Sequence, residues 1–525
     1  MKRFLTLILI STAILLPKLN GYAQYVPGPA NYEELALLFG HTSFGGSARI
    51  QGLGGASISL GGDISNISSN PAGLGFFNRS EFSFSPTLNF INTDSRYLGV
   101  NSSDSRSRFN FSNIGVVLNS TKDDVVPGKW RGGSFGISVN KINDFNSSYY
   151  YEGFNENSTI LDYFYQRMYG VPVNDFEGGG DLFSLAYFSY LMNPDFTYFD
   201  NGFDDVYYPI VTDSVAENTD YFLAGFPTQS ETINTTGGQY QWSFSYGGNY
   251  DDKLYFGASL GIVSLTYQAE KIFGETFSVD LDEPLNLNFN IIEEASIRGT
   301  GINGTFGVIM RPNDMLRVGA SVTTPTFYNI DDDRIPTIAY DFNNYYYAPD
   351  TVVLEDGVEE GFSFESRYSI RTPLKLNGGI SFFFDKNGFI TADVEYLDYS
   401  SMHMSSNDFE MSPENRLVED LYRNVINYRV GAEYRFDIFR FRGGYAHQGD
   451  PYQNSVVNRS VNSFSLGFGV RTPKFYADLA VVTRSFESAY SPYGLNPESF
   501  PNVDGPTASF DNSVTNAVLS AGFFF

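Results

Sequence analysis

A two-residue alternation of apolar and polar side chains constrains the fold of this chain more than any other feature of its sequence. Between positions 462 and 471, Phe464, Leu466, Phe468 and Val470 alternate with serine, glycine and arginine. After a short turn at 472–473 the alternation resumes and continues to position 484. Because successive side chains of a β-strand point to opposite faces, this period predicts strands of about ten residues.

The polar face of these strands carries charge, which separates a membrane barrel from a soluble sandwich. The runs 390–396, 428–436 and 439–445 each alternate aromatic or aliphatic residues with charged ones. The charged residues on their polar faces are Asp393, Glu395, Arg429, Glu433, Arg435, Arg440 and Arg442. An apolar outer face with a charged inner face is typical of a transmembrane barrel with a wet lumen. We expect these charged side chains in the lumen, where they steer a ligand carboxylate, pair with one another or hold an internal plug.

The chain contains about fourteen alternating segments, and the connections between them alternate in length. The segments span 80–91, 108–119, 132–143, 234–250, 253–270, 290–311, 316–330, 361–383, 388–401, 426–436, 439–447, 461–471, 475–485 and 513–525. Long connections are expected at 92–107, 144–233, 271–289, 331–360, 402–425, 448–460 and 486–512, with short turns between the other pairs. Short turns on the periplasmic side and long loops outside are typical of outer-membrane barrels.

The last segment supports the same fold. Its outward face carries Leu519, Ala521, Phe523 and Phe525, and a terminal outward Phe resembles the last strand of outer-membrane barrels, which their assembly machinery recognises. The sequence therefore predicts an all-β fold, a transmembrane antiparallel β-barrel of about fourteen strands over residues 79–525. Its expected partners are outer-membrane lipid and that assembly machinery.

The N-terminus predicts export from the cytoplasm. Lys2 and Arg3 precede an apolar run that ends near position 16, and small residues follow, so residues 1–23 read as a signal peptide cleaved near Ala23. The expected location is the outer membrane of a Gram-negative type of cell. The chain has no cysteine and a net charge of −27, which exclude disulfides and oppose nucleic-acid binding.

Residues 24–78 lack the alternation and predict an N-terminal hatch, or plug, inside the lumen. A barrel of about fourteen strands encloses a lumen too wide for its own side chains to fill. The segment contains one short helical piece, "NYEELALLFG", followed by glycine-rich chain. Glycine allows conformational change at modest cost. We expect such a composition to offer little apolar surface and to stabilise the barrel little.

The hatch region resembles a known family. The run "SARIQGLGGASISLGGDISNISSNPAGL" places Asn70, Pro71 and Ala72 just before the first strand "RSEFSFSP". This order is similar to the FadL/TodX family of outer-membrane transporters for long-chain fatty acids and other hydrophobic molecules, specifically over about 47–86. The resemblance implies a 14-stranded barrel, a hatch whose Asn-Pro-Ala motif takes part in gating, and passive uptake of a hydrophobic small molecule with lateral exit through the wall. It implies no cofactor.

Other interpretations stay open at this point. The connection 144–233 is long and aromatic, and it suits a protein partner as well as a ligand groove, so a FadL-like surface scaffold or secretion component is the alternative function. Pro325 and Pro373 lie inside predicted strands and indicate either local bulges or a wall kink beside a lateral opening.

An enzyme is not expected. The runs 257–261 and 299–304 match a nucleophile elbow and a dinucleotide motif, but both lie within predicted strands, without the strand-turn-helix context that those motifs need. His41, His403 and His447 are scattered, so no metal site is expected. A barrel hydrolase that depends on His447 is the remaining enzymatic alternative.

Overall fold

The computed structural model describes residues 31–41, 43–122, 128–176, 178–194, 206–212, 222–223, 226–278, 286–347, 351–454, 457–496 and 505–525. The predicted signal peptide over 1–23 and its cleavage site near Ala23 lie outside these residues.

Within the described ranges, fourteen antiparallel strands close into one barrel. In chain order they are β1 Glu81–Tyr97, β2 Val100–Thr121, β3 Trp130–Asp144 with Ser147–Phe154, β4 Thr228–Tyr250, β5 Leu254–Ser278, β6 Asn286–Met310, β7 Leu316–Thr323 with Phe327–Tyr347, β8 Val352–Glu360 with Phe364–Arg371 and Lys375–Phe384, β9 Gly388–Asp398 with His403–Ser405, β10 Asn424–Phe436, β11 Phe439–Gln448, β12 Val461–Arg471, β13 Phe475–Tyr490 and β14 Ala508–Phe524. Each strand pairs with the next, and β1 pairs with β14 from Glu81↔Phe524 to Arg96↔Ser509. The predicted fold class and strand number are confirmed.

Burial alternates along the strands in the phase that the sequence predicts. Leu466 is 73% exposed on the outer face, whereas its neighbour Ser465 is 4% exposed on the inner face. Leu479 and Val481 on β13 are likewise exposed large apolar residues. The barrel therefore presents apolar side chains outward and polar side chains inward, as a bilayer requires.

Several predicted loops are wrong, because the strands continue beyond the apolar alternation. Most of 92–107 belongs to β1 and β2, which meet at a tight turn where Leu98 and Gly99 both have positive φ. Much of 271–289 and most of 331–360 are also strand. Strand ends that project beyond a bilayer need no apolar outer face, so hydropathy stops alternating while the hydrogen-bonded ladder continues.

The two prolines inside predicted strands interrupt β7 and β8 side by side. The break in β7 surrounds Pro325, and one break in β8 surrounds Pro373. Across these breaks Thr326 N donates to Thr372 Oγ1 (2.9 Å), and Thr372 N donates to Thr326 O (3.1 Å). Hydrogen bonds thus close the wall here, which is the geometry of local bulges.

The N-terminal segment 31–78, which we call the hatch, packs against the inner faces of the strands. It comprises α1 Tyr32–Gly40, α2 Ala48–Gln51, α3 Asn66–Ser69 and a 3₁₀ helix Pro71–Phe76. Its buried apolar residues include Leu35, Leu37, Leu38, Phe39, Ile50, Leu53, Leu60, Ile64, Ile67 and Leu74. The expectation of little apolar surface is therefore wrong, because nearly every apolar side chain in this glycine-rich segment is buried.

Two sets of helices cover the long-loop end of the barrel. The helices α4 Ile160–Met168, α5 Val173–Phe176 and α6 Leu182–Phe188 form one core with inward residues of β5–β8, and we call them the cap. The helix α7 Ser412–Leu421 packs on α1 of the hatch. The predicted loop 144–233 is thus partly folded. No helix in the described ranges has the length and apolarity needed to cross a membrane.

Candidate functional site

The Asn-Pro-Ala motif is one of the places where the hatch binds the barrel wall. The Asn70 side chain is buried; its Nδ2 donates to Ile58 O (2.7 Å), and its Oδ1 accepts from Ala72 N (3.2 Å). The same Nδ2 lies 3.4 Å from Val308 O and 3.3 Å from Ala320 O, on β6 and β7. One amide therefore links two hatch turns to two barrel strands.

A ring of inward glycines on the barrel wall contacts the hatch, and we call this ring the glycine seat. The inward glycines in direct contact with it are Gly136, Gly247, Gly257, Gly307, Gly319, Gly379, Gly431, Gly444 and Gly467, one on each of nine strands. A Cβ at Gly307 would overlap the Asn70 amide, and one at Gly247 or Gly257 would overlap the carbonyl group of Pro71. The motif lies against bare backbone because these positions lack side chains.

Asp393, a buried inward residue of β9, also holds the hatch. Its Oδ2 accepts from Ser57 N (2.6 Å) and Ile58 N (3.0 Å), so one carboxylate satisfies two consecutive hatch amides. Ser465 Oγ accepts from Gly54 N at 2.9 Å in the same manner. Wall side chains thus replace the secondary-structure partners that this irregular chain lacks.

Five of the seven predicted lumen charges form ion pairs, and a buried network surrounds Glu433. Glu433 contacts Arg442 (2.7 Å), Arg435 (2.7 Å) and Arg49 of the hatch (3.5 Å), and Arg442 also contacts Asp478 (2.6 Å). Removing one member would leave an uncompensated buried charge, which is strongly destabilising. This network fixes the hatch to β10, β11 and β13.

The remaining predicted charges lie elsewhere. Glu395 and Arg429 pair at 2.8 Å. They line the smaller of two lumen cavities, which we call the lower cavity. Arg440 instead donates to the backbone carbonyl oxygens of Asp437 (2.6 Å) and Phe439 (2.8 Å) at a short turn. The structure therefore does not bring Arg440 into the network around Glu433.

The upper lumen cavity, of about 220 Å³, lies between the hatch and the strands β1–β3, β13 and β14. Its apolar lining includes Leu37, Leu38, Phe44, Ile91 and Phe145. It adjoins the lower cavity, of about 160 Å³, at residues 43–45. An apolar surface inside a polar barrel offers a binding place for a hydrophobic molecule.

Arg484 brings a cation to this cavity. Its guanidinium stacks on Phe44 (4.9 Å to the ring centre) and donates to Phe44 O (3.3 Å). Among the described residues, its Nε has no hydrogen-bond partner, and no carboxylate forms an ion pair with it. In the sequence Arg484 is one more polar-face residue of a strand, so no sequence signal distinguishes it.

Next to the upper cavity, backbone hydrogen bonds join β2 to β3 over only part of their length. The backbone ladder joining these strands ends at Asn113↔Asn140. Beyond it, residues 100–112 of β2 pair only with β1, and Ser147–Phe154 of β3 pair only with β4. We call this unpaired junction the seam.

Polar side chains bridge the seam. Asp144 of β3 accepts across the seam from Asn89 Nδ2 of β1 (2.5 Å) and Asn110 Nδ2 of β2 (3.2 Å), and it pairs with Lys141 Nζ (2.7 Å) on its own strand. All four residues line the upper cavity. A few side-chain contacts separate at lower cost than a continuous backbone ladder, because fewer hydrogen bonds have to exchange their partners for water.

Comparisons with known proteins bear on the fold. No protein-family model matches the chain, and no curated protein matches it. Among solved structures, a Pseudomonas aeruginosa FadL homologue superposes with a TM-score of 0.53 at 12% identity, covering 92% of this chain and 99% of that one. The chain has the FadL-type fold.

Two further FadL-type neighbours are toluene transporters. TodX of Pseudomonas putida has a TM-score of 0.49 at 13% identity, and TbuX of Ralstonia pickettii has 0.45 at 16% identity. Each covers 92% of this chain and 99% of its own. The predicted resemblance to the FadL/TodX family is confirmed at the level of the fold. The superposition on the P. aeruginosa structure is the evidence for it.

One group of the hatch is expected to make its docking depend on pH. Glu34 lies in the first turn of α1, where burial and the neighbouring Glu33 carboxylate raise its pKa from 4.5 to about 8. When α1 is undocked, the Glu34 carboxyl would ionise near its ordinary pKa of 4.5. Between pH 4.5 and about 8, the docked state therefore holds a proton on Glu34 that the undocked state has lost. Docking should therefore weaken as pH rises from about 5 to 8.

We expect a spin label at Ser43→Cys, unique because the chain has no cysteine, to become more mobile over this pH range. In a Glu34→Gln background the mobility should change less with pH, because only the neighbouring Glu33, whose pKa is also raised by burial, remains. Equal pH dependence in both proteins would contradict the role of Glu34.

Proposed function

We propose that this chain is an outer-membrane channel that takes up hydrophobic small molecules passively, long-chain fatty acids among them. In this proposal residues 1–23 are the cleaved signal peptide, 24–78 the gating hatch, and 79–525 the barrel with its loops. The observation that carries the proposal is the apolar upper cavity, which adjoins a seam that no backbone ladder closes. The FadL-type fold supports it independently.

The proposed path runs from the long-loop end through the upper cavity and out through the seam. A ligand that leaves sideways into the bilayer avoids exposing its alkyl chain to water, which saves about 0.8 kcal/mol per CH₂. The seam would open when the contacts across it part, namely those of Asp144, of Ser148 with Asp104, and of Arg106 with Ser147 O. Arg484 would bind the carboxylate of a fatty acid, for which a guanidinium is the matching partner.

Movement of the hatch would gate this path. The Asn70-Pro71-Ala72 turn contacts the backbone of wall glycines, which have no side chains. The turn can therefore move away from the wall without displacing interdigitated wall side chains. The path and the lower cavity meet at residues 43–45, at the start of the glycine-rich chain. A shift of this chain would connect or separate the two cavities.

A reversible cross-link across the seam tests the proposal. In Asn110→Cys/Asp144→Cys, a short cleavable thiol cross-linker should reduce labelled oleate uptake by cells to background, and reductant should restore it. Both cysteines remain after the cross-linker is cleaved. Restored uptake would therefore show that the cross-link, and not the cysteine substitutions, had blocked it. Leu466→Cys/Val481→Cys, which face each other across the paired β12–β13 ladder, should take up oleate equally with and without cross-linker. Uptake unaffected by the seam cross-link would overturn the lateral exit.

The folded cap favours a second candidate function, which is the presentation of a protein at the cell surface. Helices α4–α6 bury Leu161, Phe164 and Leu185 and so form a defined surface rather than a loose loop. Purification from native membranes distinguishes the functions. A stoichiometric protein partner that depends on the cap supports a scaffold, and bound lipid in the lumen supports the channel.

A further inference from the structure

At the short-turn end of the barrel, the mouth forms an open bowl of about 540 Å³ whose floor is the hatch. Its cations are Arg49, Arg311, Arg317, Lys386, Arg435 and Arg471, against only Asp314 and Asp385 among the acidic residues that line it. The whole chain, in contrast, carries a net charge of −27. Positive charge is thus concentrated where the hatch meets the compartment beyond it.

Arg317 is the central side chain of this bowl. Its guanidinium lies 4.3 Å from the ring centres of both Phe76 and Phe383, and its Nη1 donates to Leu60 O of the hatch. Its Nε is buried and has no hydrogen-bond partner among the described residues. A flexible surface arginine would turn into water, whereas this one is held in the mouth by two aromatic rings.

Carboxylates of the chain form ion pairs with only three of these six cations. Arg49 and Arg435 pair with Glu433, and Arg311 pairs with the exposed Asp314. In the part of the chain that the structure describes, no carboxylate forms an ion pair with Arg317, Lys386 or Arg471. Arg471 instead faces the rings of Tyr476 (5.3 Å) and Phe524 (5.0 Å).

We propose that this bowl is a binding site for a phosphate-bearing ligand. Guanidinium groups match phosphate oxygens with paired hydrogen bonds, and a dianionic phosphate suits three cations that lack a carboxylate partner. A recessed bowl admits a compact group more readily than a flat protein surface. The phosphate comes either from the headgroup of an anionic phospholipid in the adjoining leaflet or from a small soluble phosphate.

The site has a consequence for the hatch. Arg317 binds Leu60 O with one nitrogen, so a phosphate that engages its other nitrogens acts on a residue already attached to the hatch. Phe76, which ends the 3₁₀ helix after the Asn-Pro-Ala motif, stacks on the same guanidinium. Occupancy of the bowl would hold this end of the hatch in place. The inference does not depend on which molecule the upper cavity takes up.

The experiment measures phosphate binding to the full-length mature protein in a phosphorus-free detergent. The bowl variant is Arg311→Gln/Lys386→Gln, which removes two rim cations that form no hydrogen bond or ion pair with the described residues of the hatch. The matched control, Lys253→Gln/Lys474→Gln, removes two cations from other short turns outside the bowl. Phosphorus NMR line broadening follows inorganic phosphate, and native mass spectrometry follows phosphatidylglycerol retained from nanodiscs, with phosphatidylcholine nanodiscs for comparison.

We expect the bowl variant to weaken binding of at least one of these phosphate probes by about tenfold, while the control changes it little. An effect on inorganic phosphate identifies a soluble ligand, and an effect confined to phosphatidylglycerol identifies the lipid headgroup. Arg317→Lys keeps the charge but loses the planar fork, so it should also weaken binding. Equal binding by bowl variant and control, or tighter binding of an oligo-aspartate peptide than of either phosphate probe, would overturn the proposal.

Discussion

Replacing Gly379 with valine is expected to unseat the hatch and open the barrier, while the same change at Gly378 leaves the barrier intact. These adjacent residues of β8 point to opposite faces. A Cβ at Gly379 would lie 3.0 Å from Ile58 Cβ and 3.2 Å from Ser59 N, and it would overlap the carboxylate of Asp393. A Cβ at Gly378 has no atom within 4 Å.

The size of the effect follows from overpacking. Forcing extra carbon atoms into a packed contact costs about 1–3 kcal/mol, and each 1.4 kcal/mol changes the seated population about tenfold. Single-channel conductance and sensitivity of cells to a bulky antibiotic measure the leak. Gly444 and Gly443 on β11 provide a second pair, because only Gly444 contacts Leu53 and Gly54 of the hatch. Equal leak from Gly378→Val and Gly379→Val, at normal surface levels, would exclude a glycine seat.

Leu466→Arg is expected to block assembly of the barrel. Leu466 is the most exposed of the large apolar residues on β12, and an arginine on the lipid face costs about 2–4 kcal/mol near the bilayer midplane. Heat-modifiable migration on gels measures the assembled fraction, which should fall to a small remainder.

Asn516→Arg is the matched control on β14. Asn516 points into the upper cavity, where an arginine remains in contact with polar groups and water. This variant should assemble normally. Comparable loss of assembly in both variants would mean that the outer face does not contact lipid.

Local patterns made much of the fold predictable. The period of two assigned the faces of the strands correctly, as Leu466 and Ser465 show, because side-chain direction depends only on the backbone conformation of neighbouring residues. Proline and asparagine in the run before β1 indicated a turn, and the 3₁₀ helix begins at Pro71. The strand number followed from counting these segments.

The sequence predicted the candidate site less well. The inward charges around Glu433 were identified as a group, but their attachment to Arg49 depends on where the hatch lies. Arg484 and Arg317 were not identified, because each is an ordinary polar-face residue whose lack of a carboxylate partner depends on distant segments. Hydropathy predicts a loop where β1 and β2 project from the bilayer, because it records contact with lipid rather than hydrogen bonding.

The sequence by itself determined that the chain forms an antiparallel barrel with an apolar outer face, because that information lies in neighbouring residues. Only the tertiary structure decided where the hatch rests, how the seam between β2 and β3 is closed, and which cations have no carboxylate partner. Asn70 meets Gly307 and Arg317 meets Phe76 across more than two hundred positions of sequence. Such contacts follow from the closure of the barrel around its N-terminal segment, and no local pattern encodes them.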